Sequence, residues 1–172
     1  MSAAPPDRAA QRALLERSVR VRPGSVLWDA PGSTLLDVFS GKSLALDFAR
    51  VAAMEQRTDA ASRRPYLAIR LDSGVEVAVA DQGIAFAPVT AGTGPLDGLP
   101  AAVCFRDLAA AENRLEHFLL DHPGEPPGRE HVALFLLCLA VVDGARAVGF
   151  GVSSEERRLE RLLAELEARR RG

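Results

Sequence analysis

The histidines and two acids gather in one stretch of the chain. All three histidines lie there, in the set His117, Asp121, His122, Glu130 and His131. Imidazole and carboxylate groups transfer protons and bind metal ions in proteins. His117 and Asp121 are one helical turn apart, but His117 and His122, five apart, do not share a helical face well. Because a histidine near a helix end also suits the helix dipole, we interpret this stretch as a solvated helix end.

The tripeptide Gly41-Lys42-Ser43 resembles the end of a phosphate-binding P-loop. That motif needs another glycine five residues before Gly41, and Leu36 stands there. The residues before it are bulky and typical of a strand, so they offer no backbone cradle for phosphate. We interpret the tripeptide as a loop that leads into a helix with Ser43 as its N-cap.

A second glycine motif, Gly149-Phe150-Gly151, precedes the last predicted helix. Helix N-termini bind anions, but Glu155 and Glu156 in the first turn would repel one. We predict a tight connection here, and no cofactor or metal site anywhere in the chain.

Composition and length predict a single domain over residues 1–172, with residues 1–6 disordered. The chain is 48% hydrophobic and 26% charged with a net charge of −2, which is typical of a globular protein. Lys42 is the only lysine beside twenty arginines, a bias that indicates a GC-rich bacterial genome. The weak basic excess near the N-terminus does not favour nucleic acid binding.

The cysteines and the longest apolar run indicate the cellular compartment. Cys104 and Cys138 lie in apolar surroundings and are too few for a disulfide scaffold or a zinc site, so we expect buried free thiols. The run Val132–Val142 is too short to span a bilayer, and Met1–Asp7 does not resemble a targeting segment. We therefore predict a cytoplasmic protein without a membrane span.

The clearest pattern, between residues 66 and 89, predicts a three-stranded antiparallel meander. Apolar residues alternate in Tyr66–Asp72 and again in Val75–Asp81. A three-residue loop with Gly74 in a left-handed conformation keeps both apolar sets on one face. It gives the pairs Leu71–Val75, Ile69–Val77 and Leu67–Val79.

The next turn is predicted by the same test. A Gln82-Gly83 loop gives the pairs Asp81–Ile84, Val79–Phe86 and Val77–Pro88. Because Pro88 cannot donate to a ladder, the third strand is an edge or its pairing ends there. Two further short strands are predicted at 26–28 and 35–39, where they could extend the sheet.

Helical spacing predicts five further segments. Asp107 is a predicted N-cap, and Ser153 with Glu156 forms a predicted capping box. The segment 130–142 is apolar all round and therefore interior; we prefer a helix, while Asp143-Gly144 also permits a hairpin. The predicted helices are Ala9–Val19, Ser43–Gln56, Asp107–Leu120, Glu130–Val142 and the segment from Ser153 onward. The fold class is α+β, a small meander covered by helices with a C-terminal amphipathic helix.

The last helix carries a narrow leucine stripe beside arginines. Three turns are shorter than a convincing coiled coil, but the stripe could bind a partner helix or a second copy. The predicted partner-binding residues are Leu159, Leu162, Leu163, Leu166, Arg158 and Arg161.

The element order from residue 7 to 121 is helix, two strands, helix, three-stranded meander, helix. This order resembles the roadblock-type regulatory fold, whose members act as small dimeric scaffolds for GTPases, and it covers about two-thirds of the chain. The resemblance implies a regulatory adaptor and possible homodimer. Our leading hypothesis is a non-enzymatic protein-interaction module that associates through the meander edge or the last helix.

Two alternatives remain open. One is a secretion-chaperone-like protein that binds a client protein. The other is a small metal-dependent hydrolase that uses the region from His117 to His131.

Overall fold

A computed structural model describes residues 6–89 and 99–172. It is 46% helix and 23% strand, which confirms the predicted α+β class. Most of the segment predicted to be disordered, residues 1–5, lies outside the described residues. The chain divides into two compact units, Met1–Phe86 (unit 1) and Ala87–Gly172 (unit 2), each described by itself below. One domain over residues 1–172 stays a prediction.

Unit 1 begins with helix α1, Arg8–Arg20, which confirms the first predicted helix. The Asp7 carboxylate caps it by accepting a hydrogen bond from the Ala10 N–H at 3.1 Å. Leu15 is fully buried. The Arg8 guanidinium donates to the Val51 carbonyl at 2.8 Å, so the start of α1 is fixed to the sheet region.

Three short antiparallel strands follow in the order β1, β2, β3. Both strands predicted between residues 26 and 39 are confirmed, but they form a separate sheet with β3 and do not extend the meander. The inner face of this sheet buries Val26, Leu35 and Leu44. Trp28 packs edge-on against Phe48, with ring centroids 5.8 Å apart. The strand bounds are β1 Val26–Asp29, β2 Thr34–Asp37 and β3 Ser43–Ala45.

The predicted helix Ser43–Gln56 is wrong. Residues 43–45 form β3, a 3-10 turn follows at Phe48–Arg50, and strand β4 begins at Val51. Ser43 therefore lies in a strand and does not cap a helix. Leu44 and Phe48 are four residues apart, which fits a helix, but Leu44, Leu46 and Phe48 also alternate with exposed residues as in a strand.

This correction removes the basis of the roadblock resemblance. The element order on which it depended needs a helix between the first strands and the meander. The structure instead has an added strand, β4, which pairs antiparallel with the first strand of the predicted meander. The partner class therefore has to be inferred from other features.

The meander is confirmed, with β4 in front of it. Leu67 pairs with Val79 and Ile69 with Val77, as predicted. The Leu71 N–H donates to the Val75 carbonyl at 2.8 Å, and Gly74 has a φ of +87° in the turn. The strands are β4 Val51–Thr58, β5 Pro65–Leu71, β6 Glu76–Ala80 and β7 Gly83–Phe86.

The predicted β6–β7 register is wrong by two residues. Val79 pairs with Ile84 and Val77 with Phe86, so the turn is Asp81-Gln82 and the strand ends before Pro88. A shift of two residues keeps every side chain on its face, so the apolar pattern fits both registers. The buried Asp37 carboxylate favours the observed one, because it accepts from the Ile84 N–H at 2.9 Å.

The described part of unit 2 contains strand β8 and three helices. Helix α2 begins two residues before the predicted start, and Asp107 is not its N-cap. Asp107 lies at the third helical position, where its carboxylate accepts from the Cys104 N–H at 2.8 Å. The buried stripe Leu108, Ala111, Leu115 and Phe118 is confirmed. The elements are β8 Val103–Cys104, α2 Phe105–Asp121, α3 Arg129–Val148 and α4 Ser153–Arg171.

Helix α3 continues through Asp143-Gly144, so the structure has a helix and not the hairpin. It ends at Gly149, whose φ is +113°. The predicted capping box at the start of α4 is wrong, because Val152 is the N-cap and no side chain caps there. The Glu156 carboxylate instead forms an ion pair with Arg146 near the end of α3.

Candidate functional site

The histidine stretch forms an aromatic stack on α2. The His131 ring lies on Phe118 with centroids 3.7 Å apart, and the His122 ring stacks on Phe118 at 5.7 Å. His131 Nδ1 accepts from the Gly128 N–H at 2.9 Å, which orders the start of α3. His117 is exposed and outside this stack. The structure thus brings two of the three histidines together in packing roles.

Arg169 of α4 completes this stack. Its guanidinium lies 5.5 Å from the centre of the Phe118 ring and donates to the His122 carbonyl at 2.7 Å. A second nitrogen donates to the Leu119 carbonyl, so Arg169 satisfies the C-terminal end of α2. Within residues 6–89 and 99–172, no three His, Cys, Asp or Glu side chains lie close enough to hold a metal ion.

A buried ion pair joins α2 to α4. Glu112 is 3% exposed and lies 2.9 Å from Arg158 Nε, while Arg158 Nη2 lies 2.8 Å from Glu116. Burial raises the pKa of Glu112 against the opposing attraction of Arg158. The hydrogen bond to Glu116 raises the pKa of Arg158. The ion pair therefore joins α2 to α4, while burial opposes the ionised form of Glu112 on which the pair depends.

Sequence reasoning missed this cluster. One signal was present, because Glu112 lies between Ala111 and Leu115 on the buried stripe of α2. A carboxylate on such a stripe needs a partner when it is buried. The identity of that partner, Arg158, depends on how α4 packs, which the spacing of residues in α2 does not indicate.

Both cysteines are buried free thiols, as predicted. Burial raises the pKa of Cys104 to about 11. Burial also raises the pKa of Cys138 to about 12, and the nearby Glu112 carboxylate adds to this effect. The thiolate is the nucleophilic form of cysteine, so both side chains are poor nucleophiles in the folded chain.

The predicted partner-binding residues of α4 divide into two groups. Leu159, Leu162 and Leu166 are buried within the chain, and Arg158 belongs to the ion pair described above. Leu163, at 39% exposed, and Arg161 face solvent. Partner binding by this set stays a prediction, and its solvent-facing part is Leu163 with Arg161.

Helix α3 presents apolar side chains to solvent, which corrects the prediction that this segment is wholly interior. Val132 is 44% exposed and Leu139 is 36% exposed. Leu136, which is partly exposed, lies between them on the same helical face, since the spacings are four and three residues. We call these three residues the α3 stripe.

The α3 stripe is exposed because α3 has too few neighbours for its composition. Phe135, Cys138 and Val142 are buried on the opposite face. Helices α2 and α4 both pack on α3, and the Val89 N–H donates to the carbonyl of Ala140, which is 2% exposed. Two helices cannot surround a third, so a helix that is apolar all round keeps an open face in such a bundle.

By length and composition, α3 is the one described helix that could cross a membrane, and 39% of the relevant segment is buried within the chain. Core helices of globular proteins meet the same criterion. The stretch between the charged residues Glu130 and Asp143 has twelve residues. It would extend about 18 Å, whereas the hydrocarbon core of a bilayer is about 30 Å thick.

Charged residues flank the α3 stripe. Arg129 lies seven residues before Leu136 and Asp143 seven residues after it, so all three share a face. The Arg129 side chain makes no hydrogen bond or ion pair with any residue of the described part of the chain. Asp143 Oδ1 accepts from Arg146 at 2.8 Å. An apolar centre thus lies between opposite charges.

Comparison with protein families, curated proteins and solved structures finds no match for this chain.

Proposed function

We propose that this chain is a non-enzymatic protein-interaction module, of the regulatory adaptor kind, that binds a protein through the α3 stripe. The observation that carries the proposal is the exposure of Val132 and Leu139 on a helix whose opposite face is packed. Exposed apolar patches rimmed by polar residues mark sites where proteins associate. A helix face is a common surface for such binding.

The α3 stripe has the arrangement of an interface. Its apolar centre is flanked by Arg129 and Asp143, and the centres of interfaces are depleted in charge while their rims are polar. Full burial of a valine or leucine side chain contributes roughly 1.5–3 kcal/mol. Partly exposed residues contribute less, so the expected affinity is moderate and suits a regulatory contact.

Three potentially reactive groups of unit 2 are held in structural roles, which favours binding over catalysis. Glu112 is paired with Arg158, His131 accepts from the Gly128 N–H, and burial raises the pKa of the Cys138 thiol. A catalytic acid, base or nucleophile needs access to a substrate as well as a suitable pKa. These groups instead support the helix packing that holds the α3 stripe in place.

The experiment compares two leucines of equal type and similar exposure. Leu139→Glu introduces a charge into the α3 stripe, and Leu163→Glu introduces the same charge on α4, where the leucine is 39% exposed. Circular dichroism and thermal unfolding verify that both variants fold. We expect Leu139→Glu to weaken binding of a protein partner, including a second copy, about tenfold or more, since 1.4 kcal/mol corresponds to tenfold.

Binding is measured by affinity capture from the native host with quantitative mass spectrometry, and by self-association of the purified chain. Leu163→Glu is expected to bind as the unmodified chain does, because the proposal places binding on the α3 stripe. Loss of binding by Leu163→Glu alone would favour the α4 set predicted from the sequence and overturn the proposal. Equal binding by the unmodified chain and both variants, or no associated protein in either measurement, would overturn the proposal.

A further inference from the structure

We propose that the partner at the α3 stripe is a second copy of this chain, with the two α3 helices antiparallel and Leu136 of each copy at the two-fold axis. This inference rests on the proposed function, because it names the partner of the same surface. It differs from association through the meander edge or α4, since neither contributes to the contact.

The flanking charges make the α3 stripe complementary to itself. A two-fold interface brings the same surface together twice, so a residue before the axis meets a residue the same distance after it. Arg129 and Asp143 are seven residues on either side of Leu136. Antiparallel helices therefore place Arg129 of one copy opposite Asp143 of the second. The reverse pair forms on the other side of the axis, and each pair lies about 10 Å from it.

A parallel arrangement would place like charges together. Arg129 would then lie beside Arg129 of the second copy, and like-charge contacts across an interface are unfavourable. The charges thus select the antiparallel orientation as well as the partner.

The charges around Asp143 also favour its pairing with Arg129 of the second copy. Arg146 contacts two carboxylates, Asp143 and Glu156, so these three side chains together carry one excess negative charge. Within the described residues, Arg146 engages Oδ1 of Asp143, whose Oδ2 has no hydrogen-bond donor. Arg129 of the second copy would neutralise the excess charge and donate to the Oδ2 atom.

The same features favour a second copy over a bilayer. The apolar stretch between Glu130 and Asp143 is shorter than a hydrocarbon core. A lipid surface would also meet opposite charges at the two ends of the stripe, whereas a second copy matches both. A single helix pair falls in the small class of interfaces, below about 1,200 Å², so we expect a dissociation constant on the order of micromolar.

The test uses two single variants of the full chain, each of which should associate weakly alone but associate with the other when mixed. Arg129→Asp and Asp143→Arg each place like charges opposite one another in a homodimer. We expect each to raise the dissociation constant for self-association about tenfold or more in sedimentation velocity. An equimolar mixture restores both opposite-charge pairs in a mixed dimer, so association should return to nearly that of the unmodified chain.

A second measurement covers the case in which Asp143→Arg does not fold. Self-association of the unmodified chain should weaken as sodium chloride is raised, because exposed ion pairs are screened. Arg129→Ala should associate less tightly and depend less on salt. A monomeric unmodified chain up to several hundred micromolar, or folded variants whose mixture shows no recovery, would overturn the second-copy proposal.

The outcomes separate this inference from the proposed function. Capture of a different protein that Leu139→Glu loses, by a chain that stays monomeric, would overturn the second copy and leave the interaction module standing. If Leu139→Glu lost neither a different protein nor a second copy, both the proposed function and the second-copy proposal would be overturned. Binding of a monomeric chain to phosphatidylglycerol vesicles, abolished by Leu139→Glu, would also overturn the second copy.

Discussion

In unit 2, the more apolar helix α3 leaves apolar side chains exposed, and the more charged helix α4 buries most of its leucines. Helix α3 is mostly apolar, yet Val132 and Leu139 face solvent, whereas the charged helix α4 buries Leu162 and Leu166 almost completely. A narrow apolar stripe needs only one or two neighbours to be covered. A helix that is apolar on all sides needs neighbours on every side to be buried. The more hydrophobic helix, α3, is therefore the one with an exposed apolar face.

This difference indicates the surface at which binding of a partner would gain the most hydrophobic free energy. The buried leucines of α4 already contribute their hydrophobic free energy to folding. The α3 stripe still has that contribution available for association. Four sets of substitutions test this difference between the two helices, in order of decreasing effect on stability.

Two adjacent leucines of α4 give the largest expected difference. Leu162 is 5% exposed and Leu163 is 39% exposed. Leu162→Ala should lower the free energy of unfolding by about 2–5 kcal/mol, as buried leucines do, and Leu163→Ala by less than about 1 kcal/mol. Urea unfolding followed by circular dichroism measures both. Similar losses from the two variants would contradict the assignment of the buried face.

The ion pair gives the next effect. Arg158→Met leaves the buried Glu112 carboxylate without its cation. Breaking a buried pair costs about 3–5 kcal/mol, and because Arg158 is partly exposed we expect about 2 kcal/mol. The matched control, Arg161→Met on the exposed side of α4, should change the free energy of unfolding by less than about 0.5 kcal/mol. Equal effects would show that the Glu112 pair is not stabilising.

Glu112 also predicts a pH dependence. Its pKa is raised above the ordinary value of 4.5 by burial, so the folded state favours the protonated carboxyl. The resulting stabilisation is fully present below pH 4.5 and is lost as the pH rises through the raised pKa. Glu112→Gln lacks this titration. Its free energy of unfolding should therefore increase relative to that of the unmodified chain as the pH rises, and a constant difference would contradict the raised pKa.

The smallest effect on stability is expected on α3. Leu139→Gln replaces a partly exposed leucine and should change the monomer's free energy of unfolding by less than about 1 kcal/mol. The melting temperature of the unmodified chain should rise with protein concentration, because association stabilises the folded state. That dependence should be lost in Leu139→Gln. A large destabilisation at low concentration would mean that the residue belongs to the core.

Sequence patterns predicted the parts of the fold in which one periodicity fits. The pairing of Leu67 with Val79 followed from alternation and the position of Gly74, and α2 followed from its buried stripe. The segment from 43 to 56 failed because Leu44 and Phe48 satisfy both a helical and an alternating pattern. Its strand conformation depends on pairing with the neighbouring strands β2 and β5, whose residues lie outside the segment, so the pattern within the segment cannot indicate it.

The candidate site was harder to predict from the sequence than the fold. The leucines of α4 and the open face of α3 look alike as apolar positions on a helix. Which of them is covered depends on how three helices pack, and on Arg158 reaching Glu112 across the bundle. Hydrophobicity therefore predicted which residues could be buried, and tertiary packing decided which of them were.

Distances between spin labels on two copies show directly whether the α3 helices pair in an antiparallel orientation. The native thiols have pKa values raised to about 11 and about 12, so labels attach selectively to Glu130→Cys or Ala147→Cys on the exposed side of α3. Antiparallel helices centred on Leu136 separate the two labels along the axis by about 18 Å at position 130 and about 33 Å at position 147. Equal distances at both positions, or no dipolar coupling at concentrations where the chain associates, would contradict the antiparallel pair.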